Sequence, residues 1–154
     1  NLVQRTISMG HKYFDGKIEN KNVVEDVDKS FIDLINSLDK KVEEQMDSLH
    51  ISDALTEIFD VLRASNKYID DTTPWILAKD EEKTDRLETV LYNLFESIRV
   101  CGLILEPFMP DTSKEILKQL NIDDNSLGYN GNNKYELGEA HPLFQRIDKS
   151  KMEG

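Results

Sequence analysis

Three stretches of the chain repeat apolar residues at three- and four-residue steps. Phe31, Leu34, Ile35, Leu38, Val42, Met46 and Leu49 form the first. Ala54, Leu55, Ile58, Val61, Leu62, Ser65, Tyr68 and Ile69 form the second. Leu87, Val90, Leu91, Leu94, Ile98, Cys101 and Leu105 form the third. Steps of this size gather side chains on one face of a helix, so each stretch predicts a helix with a core-facing stripe and an otherwise charged surface. None shows the strict alternation of a half-buried strand. Asn1 to Phe14 carries the same spacing through Leu2, Ile7, Met9, Tyr13 and Phe14, and Asp15-Gly16-Lys17 breaks it.

The breaks agree with this reading. Ser52 is placed to cap the second periodic helix. Pro74 ends that helix, because its ring disfavours the helical conformation of Thr73. Asp80, or Thr84 a turn later, opens the third, and Pro107 closes it. Pro110 suits the first turn of a short fourth helix, roughly Asp111 to Leu120, with Ile116, Leu117 and Leu120 facing inward. After Asn121 the run Asn125-Ser-Leu-Gly-Tyr-Asn-Gly-Asn-Asn-Lys is rich in turn formers. His141-Pro-Leu-Phe-Gln-Arg-Ile-Asp follows as a short extended piece, read as a strap returning across the bundle. Short connections make neighbouring helices antiparallel. The expected fold is an all-α antiparallel helix bundle with an irregular C-terminal strap, one domain over 1–148, with 149–154 starting a linker or tail.

Composition narrows the function. The 154 residues suffice for one domain with a real core. No run approaches the ~18 apolar residues that mark a membrane span. The opening Asn-Leu-Val-Gln-Arg has neither an initiator Met nor a signal-peptide pattern, which reads as the interior of a longer chain. Cys101 stands alone, so no disulfide framework exists, and a reducing cytoplasmic setting fits. Its place on an apolar stripe reads as a buried, inert thiol. His11, His50 and His141 match no zinc spacing, and no metal site is expected. No Gly-rich phosphate cradle and no nucleophile–base pair is present, so no catalytic residue is assigned. The net charge of −11 opposes nucleic acid at long range, because phosphate binding normally rests on Lys and Arg.

The only Trp, Trp75, directly follows Pro74 at a helix end. A core Trp ordinarily sits inside an apolar pattern, so this ring either plugs a corner of the fold or is held out for something to stack on. Asn66 and Asp70 are four apart near the end of the same helix, as are Asn1 and Arg5 on the first. An aromatic ring, a planar guanidinium and amides together suit unstacked bases, which stack on aromatics and bond through their edges. Spacing alone leaves both readings of Trp75 open, and does not show that the two polar pairs meet it.

Asn1-Leu-Val-Gln-Arg5, Asn66-Lys-Tyr-Ile-Asp70, Thr73-Pro74-Trp75 and Ala78-Lys79-Asp80, in this order, resemble the anticodon-binding domain of methionyl-tRNA synthetases, which are class I aminoacyl-tRNA synthetases. Leu105-Glu-Pro-Phe-Met-Pro-Asp-Thr112 and His141 to Asp148 resemble its closing segments. The resemblance implies that Asn1, Arg5 and Trp75 contact the CAU anticodon of methionine tRNA. It places Asp70 in a supporting role at the pocket, with Asn66 beside it. It also implies a preceding catalytic domain of the same chain. ATP, Mg²⁺ and methionine would be used there, and basic phosphate contacts would come from other domains. None of the catalytic domain's motifs occurs in this sequence, so these residues are expected to select tRNA and not to catalyse. The alternatives are a helical protein-interaction domain, or the anticodon domain of a valine, isoleucine, leucine or cysteine enzyme.

Overall fold

The computed structural model describes residues 2–137. Six helices and two short strands follow in order: α1 (Leu2–Phe14), β1 (Lys17–Glu19), α2 (Asp26–Asp47), α3 (Ile51–Thr72), α4 (Pro74–Leu77), α5 (Thr84–Leu105), α6 (Pro110–Leu120) and β2 (Lys134–Glu136). A single 3₁₀ turn, Glu81–Lys83, leads into α5. The all-α bundle expected from periodicity is the fold. The part of the strap from His141 onward lies outside the described residues.

Helices α2 and α3 form an antiparallel hairpin. Asp28 near the start of α2 accepts a hydrogen bond from Tyr68 near the end of α3 at 2.7 Å. Phe31 and Tyr68 stack with ring centroids 4.4 Å apart. Between the helices the chain reverses through Leu49, whose φ is +62°. The Leu49 and His50 amides donate to the carbonyls of Met46 and Gln45, a helix-ending pattern built on one left-handed residue. Two expectations are corrected here. Leu49 does not belong to the apolar stripe, because the reversal turns its side chain out to 85% exposure. Ser52 does not cap α3, because the reversal starts that helix at Ile51 with His50 in the cap position.

Helix α5 is the axis of the fold and packs against α1, α2, α3, α4, α6 and β1. From Arg86 to Leu105 every residue except Leu103 is buried. The sequence predicts one apolar stripe and a charged remainder. Instead the charges lie inside, each answered by a partner. Arg86 donates to Asp28 at 2.5 and 3.0 Å and to the Val23 carbonyl at 2.7 Å. Arg99 donates to Glu96 at 2.9 and 3.0 Å, and to the carbonyls of Asp124, Ser126 and Gly128 at 3.1, 2.6 and 2.8 Å. Burial favours the neutral form of Arg99, but the Glu96 carboxylate more than offsets it and raises the guanidinium pKa.

These buried groups order the turn-rich segment after α6. Glu96 accepts from the Asn130 amide and the Asn133 side chain, both at 2.7 Å, and from the Tyr135 hydroxyl. The segment ends in β2, which pairs antiparallel with β1 in the register Lys17–Glu136, Ile18–Tyr135 and Glu19–Lys134. Both strands are three residues long, too short for their alternation to stand out in the sequence. Cys101 is fully buried on α5, and burial pushes its thiol pKa up to about 12, as an inert core residue requires.

Candidate nucleic-acid interface

The corner after α3 is set by backbone conformation. Thr72 is the last helical residue, and its hydroxyl donates to the Tyr68 carbonyl at 2.7 Å. Thr73 then adopts φ +46° and ψ +65°. Left-handed backbone is rare for a β-branched residue, but the αR region is disfavoured for a residue that precedes Pro. Pro74 therefore ends α3 as expected, and it also opens the one-turn α4, which the sequence reading does not anticipate. Its ring is buried, while Trp75 and Ile76 point out with 40% and 55% exposure.

The structure brings Arg5 to Trp75. The guanidinium carbon lies 5.9 Å from the indole centroid, within cation–π range. Arg5 is exposed, and among the described residues no carboxylate pairs with it, although the chain carries 30 Asp and Glu. Its donors and an open part of the ring therefore face solvent together. A plugged corner would bury the ring, and it is not buried.

The other candidates are less closely joined. Asn66 and Asp70 are exposed on the last two turns of α3. No hydrogen bond or ion pair connects either to Arg5 or Trp75, and among the described residues neither side chain has a hydrogen-bond partner. Asn1 lies outside the described residues. Ile76, which the sequence reading does not single out, is exposed beside Trp75.

Behind the corner, a polar network fixes the end of α3. Tyr68 donates to Asp28, Asn93 donates to the Tyr68 hydroxyl at 3.0 Å, and Tyr129 donates to Asn93 at 2.7 Å. Burial drives the Tyr68 pKa well above the usual phenol value, so the hydroxyl stays a donor. Ser65 and Ser97 bridge α3 to α5 at 2.7 Å. Among the described residues no group of three or more His, Cys, Asp or Glu is placed to hold a metal ion. No described helix is long and apolar enough to cross a membrane.

The fold is a helical bundle with an exposed indole and guanidinium at one helix corner, and comparison with known proteins gives its class. Residues 28–144 match the anticodon-binding domain of tRNA ligase, and the chain belongs to that family. It is 43% identical to a methionine–tRNA ligase of Caldanaerobacter subterraneus, over 98% of this chain and 25% of that one. A methionine–tRNA ligase of Clostridium perfringens is 50% identical over 96% of this chain and 24% of its own length. The crystal structure of Mycobacterium tuberculosis methionyl-tRNA synthetase bound by methionyl-adenylate superposes with a TM-score of 0.87 and 29% identity, over 94% of this chain and 30% of that one. The chain thus spans about a quarter of the curated relatives it matches.

Proposed function

We propose that this chain is the anticodon-reading domain of a methionine–tRNA ligase, and that Arg5 and Trp75 form the centre of its dock for the CAU loop of methionine tRNA. Trp75 supplies a stacking surface for an unpaired base. Arg5 covers part of the ring and directs its free donors at base edges or a phosphate. Asn1, four residues before Arg5 in sequence, and Asn66 and Asp70 on α3 would add donors and acceptors to this dock. The carboxylate of Asp70 would orient amide or guanidinium donors and disfavour the wrong bases. Methionine, ATP and Mg²⁺ would be handled by a catalytic domain of the same polypeptide, in the cytoplasm, and that part of the enzyme would supply the phosphate contacts that a −11 domain lacks.

The observation that carries the reading is the Arg5 guanidinium 5.9 Å from the centroid of a Trp that is itself 40% exposed. The protein-interaction reading requires a packed Trp75 remote from Arg5 and gains no support from that geometry. Methionine is favoured over the related amino acids because the similar full-length proteins are methionine–tRNA ligases at 43% and 50% identity.

The test is Trp75→Ala in the full-length ligase. Loss of one stacked base removes ~1–3 kcal/mol, so kcat/KM for methionine tRNA should fall about 5- to 150-fold. ATP-dependent activation of methionine should stay unchanged. An equal fall in both reactions would refute the assignment of Trp75 to tRNA selection.

A further inference from the structure

The chain holds one Asn-Gly pair, Asn130–Gly131, in the segment that the buried charges of α5 order. In an Asn-Gly pair the asparagine side chain is readily attacked by the backbone that follows it, because glycine puts no side chain in the way and turns freely. The Gly131 nitrogen attacks Asn130 Cγ and gives up its proton, the bond from Cγ to Nδ2 breaks, and ammonia leaves with that proton. The product is a five-membered cyclic imide. Water then adds to one of its two carbonyls and reopens the ring, leaving aspartate or isoaspartate in place of asparagine.

In the folded protein this reaction is opposed at every polar atom of Asn130. Its amide donates to Glu96 at 2.7 Å, and its carbonyl accepts from the Tyr92 hydroxyl. Its side-chain nitrogen donates to Asp124 Oδ2 at 2.9 Å, and its side-chain oxygen accepts from the Asn132 amide at 3.0 Å. Expulsion of Nδ2 ends the Asp124 bond outright. Any rotation that brings the Gly131 nitrogen onto Cγ also turns the Asn130 carbonyl, which shares its peptide plane, away from Tyr92. Tyr92 and Glu96 are themselves buried on α5, so the lock is anchored in the core and not in the loop.

The product does not fit the site. Asn130 meets Asp124 as a donor facing a carboxylate. An aspartate there has no donor to offer, so two carboxylates would stand at hydrogen-bond distance and repel. The same Asp124 oxygen also accepts from the Asn133 side chain at 2.9 Å, so the disturbance reaches the residue that leads into β2. Isoaspartate adds a methylene to the main chain and displaces the carbonyl from Tyr92 as well.

We propose that Asn130 is a deamidation site gated by the order of residues 124–133. The closed segment protects the side chain. The opened segment lets the conversion proceed, and the acidic product then keeps the segment from closing again. The change is a one-way record of how often the loop has come off α5, and it does not depend on what the Trp75 corner binds.

Peptide mapping by mass spectrometry of the full-length ligase, aged at mildly alkaline pH, tests it. Conversion at Asn130 should run about 30- to 160-fold slower than in the isolated peptide Gln119–Lys134, equivalent to ~2–3 kcal/mol of local opening at ~1.36 kcal/mol per tenfold. Isoaspartate should be among the products in both. Tyr92→Phe keeps the ring and removes one bond to Asn130, so it should speed the conversion about 2- to 12-fold with unchanged circular dichroism. Asn130→Asp should raise amide exchange at Asn133, whose N–H donates to Tyr92, by about tenfold or more. Adding Asp124→Asn restores a donor between the two side chains and should reverse part of that rise. Equal rates in the folded protein and the peptide, or no conversion in the peptide, would overturn the gated site. Unchanged Asn133 exchange in Asn130→Asp, or no recovery on adding Asp124→Asn, would overturn the one-way step, whatever Tyr92→Phe does.

Discussion

Replacing Arg99 by Met tests the claim that a buried ion pair on α5 organises the segment from 124 to 135. Arg99 is fully buried, and so is its partner Glu96. Met keeps most of the length and the apolar stem, so the change removes the charge and the donors without opening a large cavity. Glu96 is then left as a buried carboxylate that has lost its cation, a defect of ~3–5 kcal/mol. Three carbonyls, of Asp124, Ser126 and Gly128, also lose their donor. Ser126 is exposed, so the loop can relax towards water and recover part of that second loss. The pair therefore dominates, and the expected destabilisation is about 3–4 kcal/mol, or about 6–16 °C in melting temperature. Urea unfolding followed by circular dichroism measures the first quantity. Amide exchange at Ser126, Asn130 and Asn133 locates it, because their N–H groups donate to Asp124, Glu96 and Tyr92. Adding Glu96→Gln should restore part of the loss, since no unpaired charge then remains inside. A loss below about 1 kcal/mol, or unchanged exchange at those three amides, would refute the claim that the pair organises the loop.

Arg5→Lys in the full-length ligase should lower kcat/KM for methionine tRNA about 2- to 30-fold, because an ammonium keeps the charge but not the planar stacking face, while melting of the domain stays within a degree or two. Asp124 gives a pH-dependent test: burial alone would raise its pKa, but the Ser126 amide and the side chains of Asn130 and Asn133 outweigh it and hold the carboxyl well below the usual range. Its stabilising effect is therefore complete above the unfolded value of ~3.9 and disappears as pH falls towards the folded value. Asp124→Asn should lower the urea midpoint at neutral pH and flatten its fall below about pH 4.

The long helices could be read from the sequence because their apolar steps persist over several turns. The interior of α5 could not. Arg86, Glu88, Glu96 and Arg99 look like a solvated face until Asp28 and the carbonyls of distant loop residues are seen to meet them. For the same reason residues 124–135 read as loose turns, since their order comes from α5 side chains and not from local pattern. Leu49 misleads because it sits at the right step but is itself the left-handed residue through which the chain reverses. At the candidate interface, a Trp after a helix-ending Pro marks the position, and the four-residue spacing of Asn1 and Arg5, together with the resemblance, points to Arg5. Only packing could reveal that the two meet. Asn66 and Asp70 share the face their spacing implies, yet among the described residues no hydrogen bond or ion pair links them to the ring.

Thr73 has a kinetic consequence. Its left-handed backbone and the following Pro leave α4 little freedom to swing, so the site from which the Trp75 side chain projects is set before any partner arrives. If the proposed dock is correct, association would require no slow rearrangement of the α4 backbone. The entropy of organising the contact falls on the incoming strand, and discrimination between anticodons would be expressed in how long a loop stays rather than in how often it lands.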